Sequence, residues 1–122
     1  MIKKVAFTML PVTDVPRARK FYEETLGLTI GLKGNQGEKW WIEYDLPQGG
    51  CIALSNFGPD KPSGSGATLA LEVEDLDSLM ERLKAVGVEF KHGVIPGPHC
   101  RMAPCSDSEG NPILLHQLNA KA

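Results

Sequence analysis

The sequence predicts an α+β fold built from two copies of one module, in which a strand is followed by a helix and then by three more strands. Short apolar runs with the two-residue period of strands surround two stretches that have the period of an amphipathic helix. Each helical stretch follows an aspartate, Asp14 or Asp75, and stops at a glycine, Gly27 or Gly87. These residue types favour helix N-caps and helix C-terminal ends. The two aspartates and the two glycines are almost equally far apart in the chain, which indicates a repeat of a whole supersecondary unit.

The first module opens on the alternating segment IKKVAFTML and continues into the first helix. Pro16 lies in the first turn of that helix, where proline is tolerated, and apolar residues follow at helical spacing. The turn segments GNQG and PQGG then separate runs rich in aromatic and β-branched residues. We expect strands at 2–10, 28–33, 39–46 and 51–57, and a helix whose apolar stripe is Ala18, Phe21, Tyr22 and Leu26.

The second module repeats this order after a linker. The segment GPDKPSGSG is dominated by glycine, proline and serine, and it predicts a connection rather than a strand. We therefore divide a single domain of 122 residues into a first module 1–57, a linker 58–66 and a second module 67–122. In the second module we expect strands at 67–75, 88–93, 100–107 and 111–118, a loop at 94–99, and a helix with the stripe Leu76, Leu79, Met80 and Leu83.

Composition excludes several classes of function. The formal net charge is −2, so no basic surplus points to nucleic acid. The first residues lack the sustained apolar core of a signal peptide, and no apolar run approaches the length of a membrane span. We therefore expect a cytoplasmic protein with no nucleic-acid or membrane partner. The three cysteines, Cys51, Cys100 and Cys105, have no CxxC spacing, and we expect them to be small, partly buried apolar residues.

Three features together resemble the vicinal oxygen chelate superfamily: the phrase FTMLPVTDVPRARKFYEETLGL, the βαβββ repeat, and DSEGNPILL near the end. That family includes glyoxalase I, extradiol dioxygenases, fosfomycin-resistance enzymes and bleomycin-binding proteins. The resemblance covers essentially the whole chain, and it implies two βαβββ modules that form a curved mixed sheet around a cavity. Exposed sheet edges and the linker would let modules pair within one chain or between chains, and we expect a homodimer. The alternative fold is a ferredoxin-like α+β sandwich, which has fewer strands per helix than the sequence predicts.

The resemblance also implies where a metal would be held. Metal-dependent members place ligands on the first and last strands of each module, or use a closely related set of three. These positions map to Phe7 and Ala53 in the first module, and to Thr68 and Leu114 in the second. Phenyl and alkyl groups offer no donor, and a neutral hydroxyl is a weak ligand. We therefore expect no metal cofactor, and we expect these four residues to contact a ligand instead.

Two ionisable residues are the candidates for catalysis. His116 shares a strand face with Leu114, and Glu72 shares one with Thr68, because alternate strand residues point the same way. Their functional interpretation is a general base or a polar contact to ligand. The alternative is a histidine bonded to backbone or water and a solvated carboxylate at a strand end. The sequence does not determine whether the two side chains approach each other.

The remaining candidates are two tryptophans and an arginine. Trp40 and Trp41 must point to opposite faces of their strand, and either ring can serve in ordinary packing. We expect Trp41 to meet the ligand, since it shares its face with two acidic residues and stays partly exposed. Arg101 follows the loop 94–99, and we expect it to contact a carboxylate or phosphate on the ligand.

Two classes of function follow from these expectations. The first is a metal-free protein that binds a small organic molecule in an aromatic-lined pocket, as bleomycin-binding members do. The second is a lyase or dioxygenase-type enzyme of the same superfamily with a non-standard site that uses Glu72 and His116. The absent metal ligands favour the first.

Overall fold

The computed structural model describes residues 1–120. The chain divides into two compact units, the first spanning Met1–Pro62 and the second beginning at Ser63. The division falls inside the segment 58–66, where glycine, proline and serine make strand pairing unfavourable. Each unit contains one four-stranded mixed sheet. No helix among residues 1–120 is long and apolar enough to cross a membrane.

The elements in chain order are β1 Thr8–Pro11, α1 Val15–Arg19 with a π-helical continuation Lys20–Thr25, β2 Ile30–Gln36, β3 Lys39–Asp45, β4 Cys51–Ser55, β5 Leu69–Glu72, α2 Leu76–Ala85, β6 Ile95–Pro96, β7 Cys100–Ser106 and β8 Pro112–Leu118. The two sheets have the same topology. In the first the spatial order is β1-β4-β3-β2, and in the second it is β5-β8-β7-β6. The first and last strands of each unit are parallel, and the other pairs are antiparallel. This arrangement confirms the predicted α+β fold of two repeated modules.

Both helices begin as the sequence predicts. Asp14 Oδ1 accepts a hydrogen bond from the Arg17 amide at 3.0 Å, and Asp75 Oδ1 accepts one from the Ser78 amide at 3.1 Å. Each bond satisfies a backbone donor that has no partner within the helix. Past the helix ends, Gly27 has a φ of 75° and Gly87 a φ of 94°.

The first helix differs from expectation in its second half, where the α-helix widens into a π-helix. The Leu26 amide donates to the Phe21 carbonyl at 2.8 Å, which is the i→i−5 bond of that geometry. A wider turn separates consecutive side chains by a smaller angle, so adjacent residues share a face more closely. Phe21 and Tyr22 are accordingly both buried. Periodicity alone does not reveal this change, because the apolar stripe fits either helix.

Each helix covers one face of its sheet, which we call the helix face. In the first unit the rings of Tyr22 and Tyr44 stack with centroids 6.1 Å apart, and the Tyr44 hydroxyl donates to Glu23 at 2.8 Å. In the second unit the Leu76 amide donates to Gln117 Oε1 at 2.7 Å. These contacts identify the inward side chains of each sheet. The buried apolar residues of the sheets' helix faces are Leu10, Ile42, Tyr44, Ile52 and Leu54 in the first unit, and Ala103, Ile113 and Leu115 in the second.

Several strands differ from those expected. The first strand begins only at Thr8 rather than at residue 2. Strand β2 runs on to Gln36, because the hairpin turn is formed by Gly37, with a φ of 60°, and Glu38. The predicted strand 88–93 was wrong: the Gly93 amide bonds back to the Phe90 carbonyl at 3.1 Å in a turn. The predicted loop 94–99 instead contains β6, which is short because Pro96 has no N–H for the ladder.

The turn DSEGN sets the connection between β7 and β8. The buried Asp107 accepts through Oδ1 from the amides of Glu109 and Asn111, at 2.8 and 2.9 Å. The Asn111 side chain donates to Asp107 Oδ2 at 3.0 Å, and Gly110 takes a φ of 92°. These bonds satisfy buried polar groups that would otherwise be costly. This motif therefore serves the scaffold rather than the chemistry.

Candidate functional site

The candidate residues of the first unit lie on the face opposite its helix, which we call the helix-distal face. Strand pairing fixes which side chains are neighbours there, because paired positions point to the same side of a sheet. The rows across β1, β4, β3 and β2 are Met9–Ala53–Glu43–Leu32 and Pro11–Ser55–Trp41–Gly34, with Cys51 and Asp45 in a third row.

Phe7 and Trp41 form an aromatic pair on this face. Their ring centroids are 5.2 Å apart and the planes are at 88°, an edge-to-face contact. Phe7 directly precedes Thr8, whose partner on β4 is Ile52. Trp41 lies on β3, and its partner on β4 is Ser55, on the other side of Ala53. The contact therefore crosses the row of Ala53, whose side chain is fully buried. Three of the sequence-predicted ligand-binding positions are thus brought together.

The indole of Trp41 is held by Glu43, which is not among the site residues expected from the sequence. Trp41 Nε1 donates to Glu43 Oε2 at 2.7 Å, and the Cys51 thiol approaches Glu43 Oε1 at 3.7 Å. Burial and the nearby carboxylates of Glu43 and Asp45 raise the pKa of the Cys51 thiol, so it stays protonated as a weak donor. The signal for Glu43 was its alternation with Trp41 on one strand.

The space beside Trp41 is open on the β2 side. Its partner there is Gly34, and a Cβ built on that glycine would meet no atom within 4 Å. Trp40, by contrast, points to the helix face, and its amide donates to Asn56 Oδ1 at 2.7 Å. Its ring lines a shallow groove of about 430 Å³ together with Val15, Pro16, Arg19, Lys20, Glu23 and Glu24.

The helix-distal face of the second unit carries the remaining candidates except Arg101. Leu114 pairs with Ala70 on β5 and with Pro104 on β7, and Thr68 lies exposed just before β5. The next row holds the two ionisable candidates. Across β5, β8, β7 and β6 it reads Glu72–His116–Met102–Ile95, and the row beyond it contains Leu118 and Cys100.

Glu72 and His116 are hydrogen-bonded, which the sequence could not determine. His116 Nδ1 lies 2.5 Å from Glu72 Oε1, and Glu72 Oε2 accepts from the Leu118 amide at 2.8 Å. The Leu118 amide and the imidazole both lower the pKa of the Glu72 carboxyl, so it is ionised near neutrality. Chemically, an anchored carboxylate that orients an imidazole can fix its tautomer and support proton transfer.

Arg101 does not join these residues. It pairs with Gln117, whose side chain points to α2, so Arg101 lies on the helix face. Its guanidinium donates to both carboxylate oxygens of Asp77, at 2.7 and 3.2 Å. The guanidinium, which was expected to contact a ligand carboxylate or phosphate, is thus paired with the protein's own helix and lies away from the other candidates.

The residues present do not fit the metal centre that the resemblance implies. Phe7, Ala53 and Leu114 provide no donor, and Thr68 provides only a neutral hydroxyl. On that face the cross-strand partner of Ala53 is the carboxylate Glu43, and a catalytic metal site typically needs three protein ligands. Within residues 1–120 there is no group of three or more His, Cys, Asp or Glu side chains arranged to hold a metal ion.

Comparisons with known proteins agree with this architecture. Residues 4–115 match the profile of the Glyoxalase/Bleomycin resistance protein/Dioxygenase superfamily. TnmS3, an antibiotic binding protein from Streptomyces sp. CB03234, has a crystal structure that superposes with a TM-score of 0.82 at 30% identity. That superposition covers 97% of this chain and 98% of TnmS3.

Two further proteins are similar in sequence over most of the chain. YetH of Bacillus subtilis is 28% identical over 121 residues, covering 96% of this chain and all of YetH. A probable lactoylglutathione lyase of Vibrio parahaemolyticus is 29% identical over 125 aligned residues, covering 93% of this chain and 90% of that protein. The chain therefore belongs to the Glyoxalase/Bleomycin resistance protein/Dioxygenase superfamily.

Proposed function

We propose that the protein binds a small, largely apolar aromatic molecule without a metal ion, and that the helix-distal face of the first sheet carries much of the contact. The observation that carries this proposal is the Phe7–Trp41 pair across Ala53. Aromatic rings provide a large apolar surface at a low cost in side-chain entropy. They occupy the part of the fold where metal-dependent relatives are expected to hold an ion.

Two further observations support a ligand on this face. Gly34 leaves the space beside the indole open, so a flat molecule can lie against the ring. The hydrogen bond to Glu43 already orients that ring, so less conformational entropy is lost when a ligand binds. The similarity to TnmS3, an antibiotic binding protein, supports the same class of function. The polar contact on this face would come from Glu43, which favours a ligand with a hydrogen-bond donor.

A lyase or dioxygenase-type enzyme is the second candidate. The similarity to a probable lactoylglutathione lyase favours it, and Glu72 with His116 would be its chemistry. The donor-free positions Phe7, Ala53 and Leu114 weigh against the metal-assisted form of that chemistry. Elemental analysis of the purified protein separates the two, because a stoichiometric divalent metal would favour the enzyme.

We further propose a homodimer in the cytoplasm. Each sheet has two edge strands, and the unpaired backbone groups of an exposed edge are a template for pairing with another chain. Cys51, Cys100 and Cys105 are all free thiols, which fits a reducing compartment. Sedimentation velocity over a tenfold concentration range tests the dimer, and a species of about 13 kDa throughout would contradict it.

The binding proposal is tested by thermal shift with a library of anthraquinones, naphthoquinones, flavones and coumarins, using the protein as purified. A ligand that binds the folded state raises the melting temperature, with a stabilisation near 2.7 kcal/mol at about one hundred times Kd. Trp41→Ala should abolish most of the ligand-induced shift. Trp40→Ala is the matched control, since it removes the same side chain from the opposite face, and it should retain the shift. Equal loss in both variants, or no stabilising compound in the library, would refute the proposed site.

A further inference from the structure

The second sheet carries a polar pair, Glu72 and His116, that has no part in the proposed aromatic binding face. Glu72 and His116 are direct partners in the parallel β5–β8 ladder, so their side chains leave the sheet side by side. The carboxylate is held at both oxygens, by His116 Nδ1 at 2.5 Å and by the Leu118 amide at 2.8 Å. The carboxylate is therefore anchored to the backbone at Leu118, at a surface site where 52% of the Glu72 side chain is exposed.

This geometry determines the tautomer of the imidazole. The pKa of Glu72 is lowered by the Leu118 amide and by His116, so near neutrality the carboxylate is ionised and can only accept. The proton between the two groups therefore belongs to Nδ1. A neutral imidazole carries one N–H, which leaves the lone pair on Nε2. No group among residues 1–120 is hydrogen-bonded to Nε2, and 27% of the His116 side chain is exposed.

The neighbours of the pair on the sheet are mostly apolar side chains, several of which are exposed to solvent. Met102 and Ile95 continue its row, Leu114 and Ala70 lie in the row on one side, and Leu118 lies in the row on the other. Cys100, beside Leu118, is the titratable side chain of the neighbouring rows. Nε2 of His116, a hydrogen-bond acceptor beside these apolar side chains, suits a largely apolar ligand that carries a hydrogen-bond donor.

We propose that Glu72 and His116 form a proton-accepting site for an apolar ligand with an acidic hydroxyl, a phenol or an enol. The ligand O–H bond breaks and an Nε2–H bond forms, while the electron pair stays on the ligand oxygen. The resulting oxyanion accepts a hydrogen bond from the imidazolium. Glu72 remains ionised and compensates the positive charge, as a positioning residue. An acidic hydroxyl suits the site because it can give its proton to Nε2 and then accept a hydrogen bond from the same nitrogen.

This inference goes beyond binding and stands on residues other than the Phe7–Trp41 pair, so the two proposals fail separately. The probe is 4-nitrophenol, whose anion absorbs at longer wavelength than the neutral phenol. The matched control compound is 4-nitroanisole, which has a methyl group in place of the acidic proton. We expect wild-type protein to bind 4-nitrophenol about tenfold more tightly than 4-nitroanisole, as one charge-assisted hydrogen bond allows. We also expect binding to raise the anion absorbance.

Variants assign this effect to the pair. His116→Phe should reduce the tenfold preference to about one and remove the absorbance change, whereas Trp40→Ala, on the helix face of the first unit, should leave the preference unchanged. Glu72→Gln keeps the shape of the side chain without its charge and should lower the preference several-fold. Nitrogen-detected NMR of wild-type His116 should show a protonated Nδ1 and an unprotonated Nε2, with mixed tautomers in Glu72→Gln. A protonated Nε2 in neutral wild-type His116, no binding of 4-nitrophenol, or an unchanged preference in His116→Phe would each overturn the proposal.

Discussion

Trp41 and Glu43 are joined by a hydrogen bond of 2.7 Å between the indole Nε1 and the carboxylate Oε2 on one face of β3. The residues are two positions apart, so strand alternation alone places their side chains together. The bond fixes the rotation of the indole, and the edge-to-face contact with Phe7 restrains it from another side. The aromatic surface is therefore ordered before any ligand arrives.

Replacing Glu43 by alanine should weaken ligand binding without removing an aromatic contact. The indole would lose its acceptor and populate further rotamers, which a ligand would have to reorder at a cost of about 0.5–1.5 kcal/mol. We expect a loss of affinity of about threefold to tenfold, measured by calorimetry with the compound that gives the largest thermal shift. Near-UV circular dichroism should lose intensity in the free variant. Glu43→Gln keeps an acceptor oxygen, and similar losses in both variants would point to charge rather than orientation.

Filling the space at Gly34 should block the ligand while leaving the sheet intact. A Cβ at this position meets no atom within 4 Å, and Gly34 does not have a positive φ. Valine favours strands, so Gly34→Val should keep or raise the midpoint of urea unfolding. Its methyl groups would occupy the space beside the Trp41 ring, and we expect affinity to fall at least about tenfold, as a steric block does. Gly34→Ala is the smaller matched change. An unchanged affinity in Gly34→Val would show that the ligand does not lie beside this ring.

Ionisation of Glu23 should make the free energy of unfolding depend on pH. Partial burial opposes its ionisation, but the hydrogen bonds from Arg19 and Tyr44 outweigh that effect and lower the pKa of the carboxyl. A folded-state pKa below the unfolded one gives stability that is present above the unfolded pKa and is lost as pH falls through the folded pKa. The free energy of unfolding should therefore fall more steeply in wild type than in Glu23→Gln between about pH 5 and pH 3. Glu81→Gln, at an exposed ion pair with Lys84, controls for the change in net charge. Parallel curves for wild type and Glu23→Gln would argue against this role.

Removing Arg101 should not affect ligand binding. Its guanidinium pairs with Asp77 of α2 on the helix face, and both groups are well exposed to solvent. Exposed ion pairs contribute little to stability, so the melting temperature of Arg101→Ala should stay close to that of wild type. The calorimetric affinity for the library compound should also be unchanged. A loss of affinity comparable to that of Trp41→Ala would restore Arg101 to the ligand site.

Local signals predicted the scaffold well because they act over a few residues. Asp14 and Asp75 cap their helices, Gly27 and Gly87 follow the helix ends with positive φ, and the stripe around Tyr22 is buried, as periodicity and residue type indicate. The π-helical turn was not predictable, since widening by one residue leaves the apolar pattern nearly intact. The predicted strand at 88–93 was wrong because the turn at Gly93 is as compatible with that composition as a strand.

The sequence alone could not predict which side chains of distant strands contact each other. Glu72 and His116 are 44 residues apart, and their contact depends on the register of a parallel pair that no local turn specifies. Arg101 illustrates the same limit. Its side chain can be assigned to the helix face of the sheet only because its partner Gln117 is seen to contact α2. Alternation with Trp41 on one strand predicts that Glu43 lies on the same face, but the sequence alone does not show that Glu43 accepts a hydrogen bond from the indole.

The measurement that tests metal-free binding most directly is calorimetric titration of wild-type protein with the strongest library compound. It is done first in excess EDTA and then in separate samples with Mn²⁺, Ni²⁺ or Zn²⁺ in place of EDTA, alongside elemental analysis of the purified protein. We expect the same Kd in every sample and substoichiometric metal throughout, because Phe7, Ala53 and Leu114 cannot ligate an ion. Binding that disappears in EDTA and returns with one metal, at one ion per chain, would contradict the account.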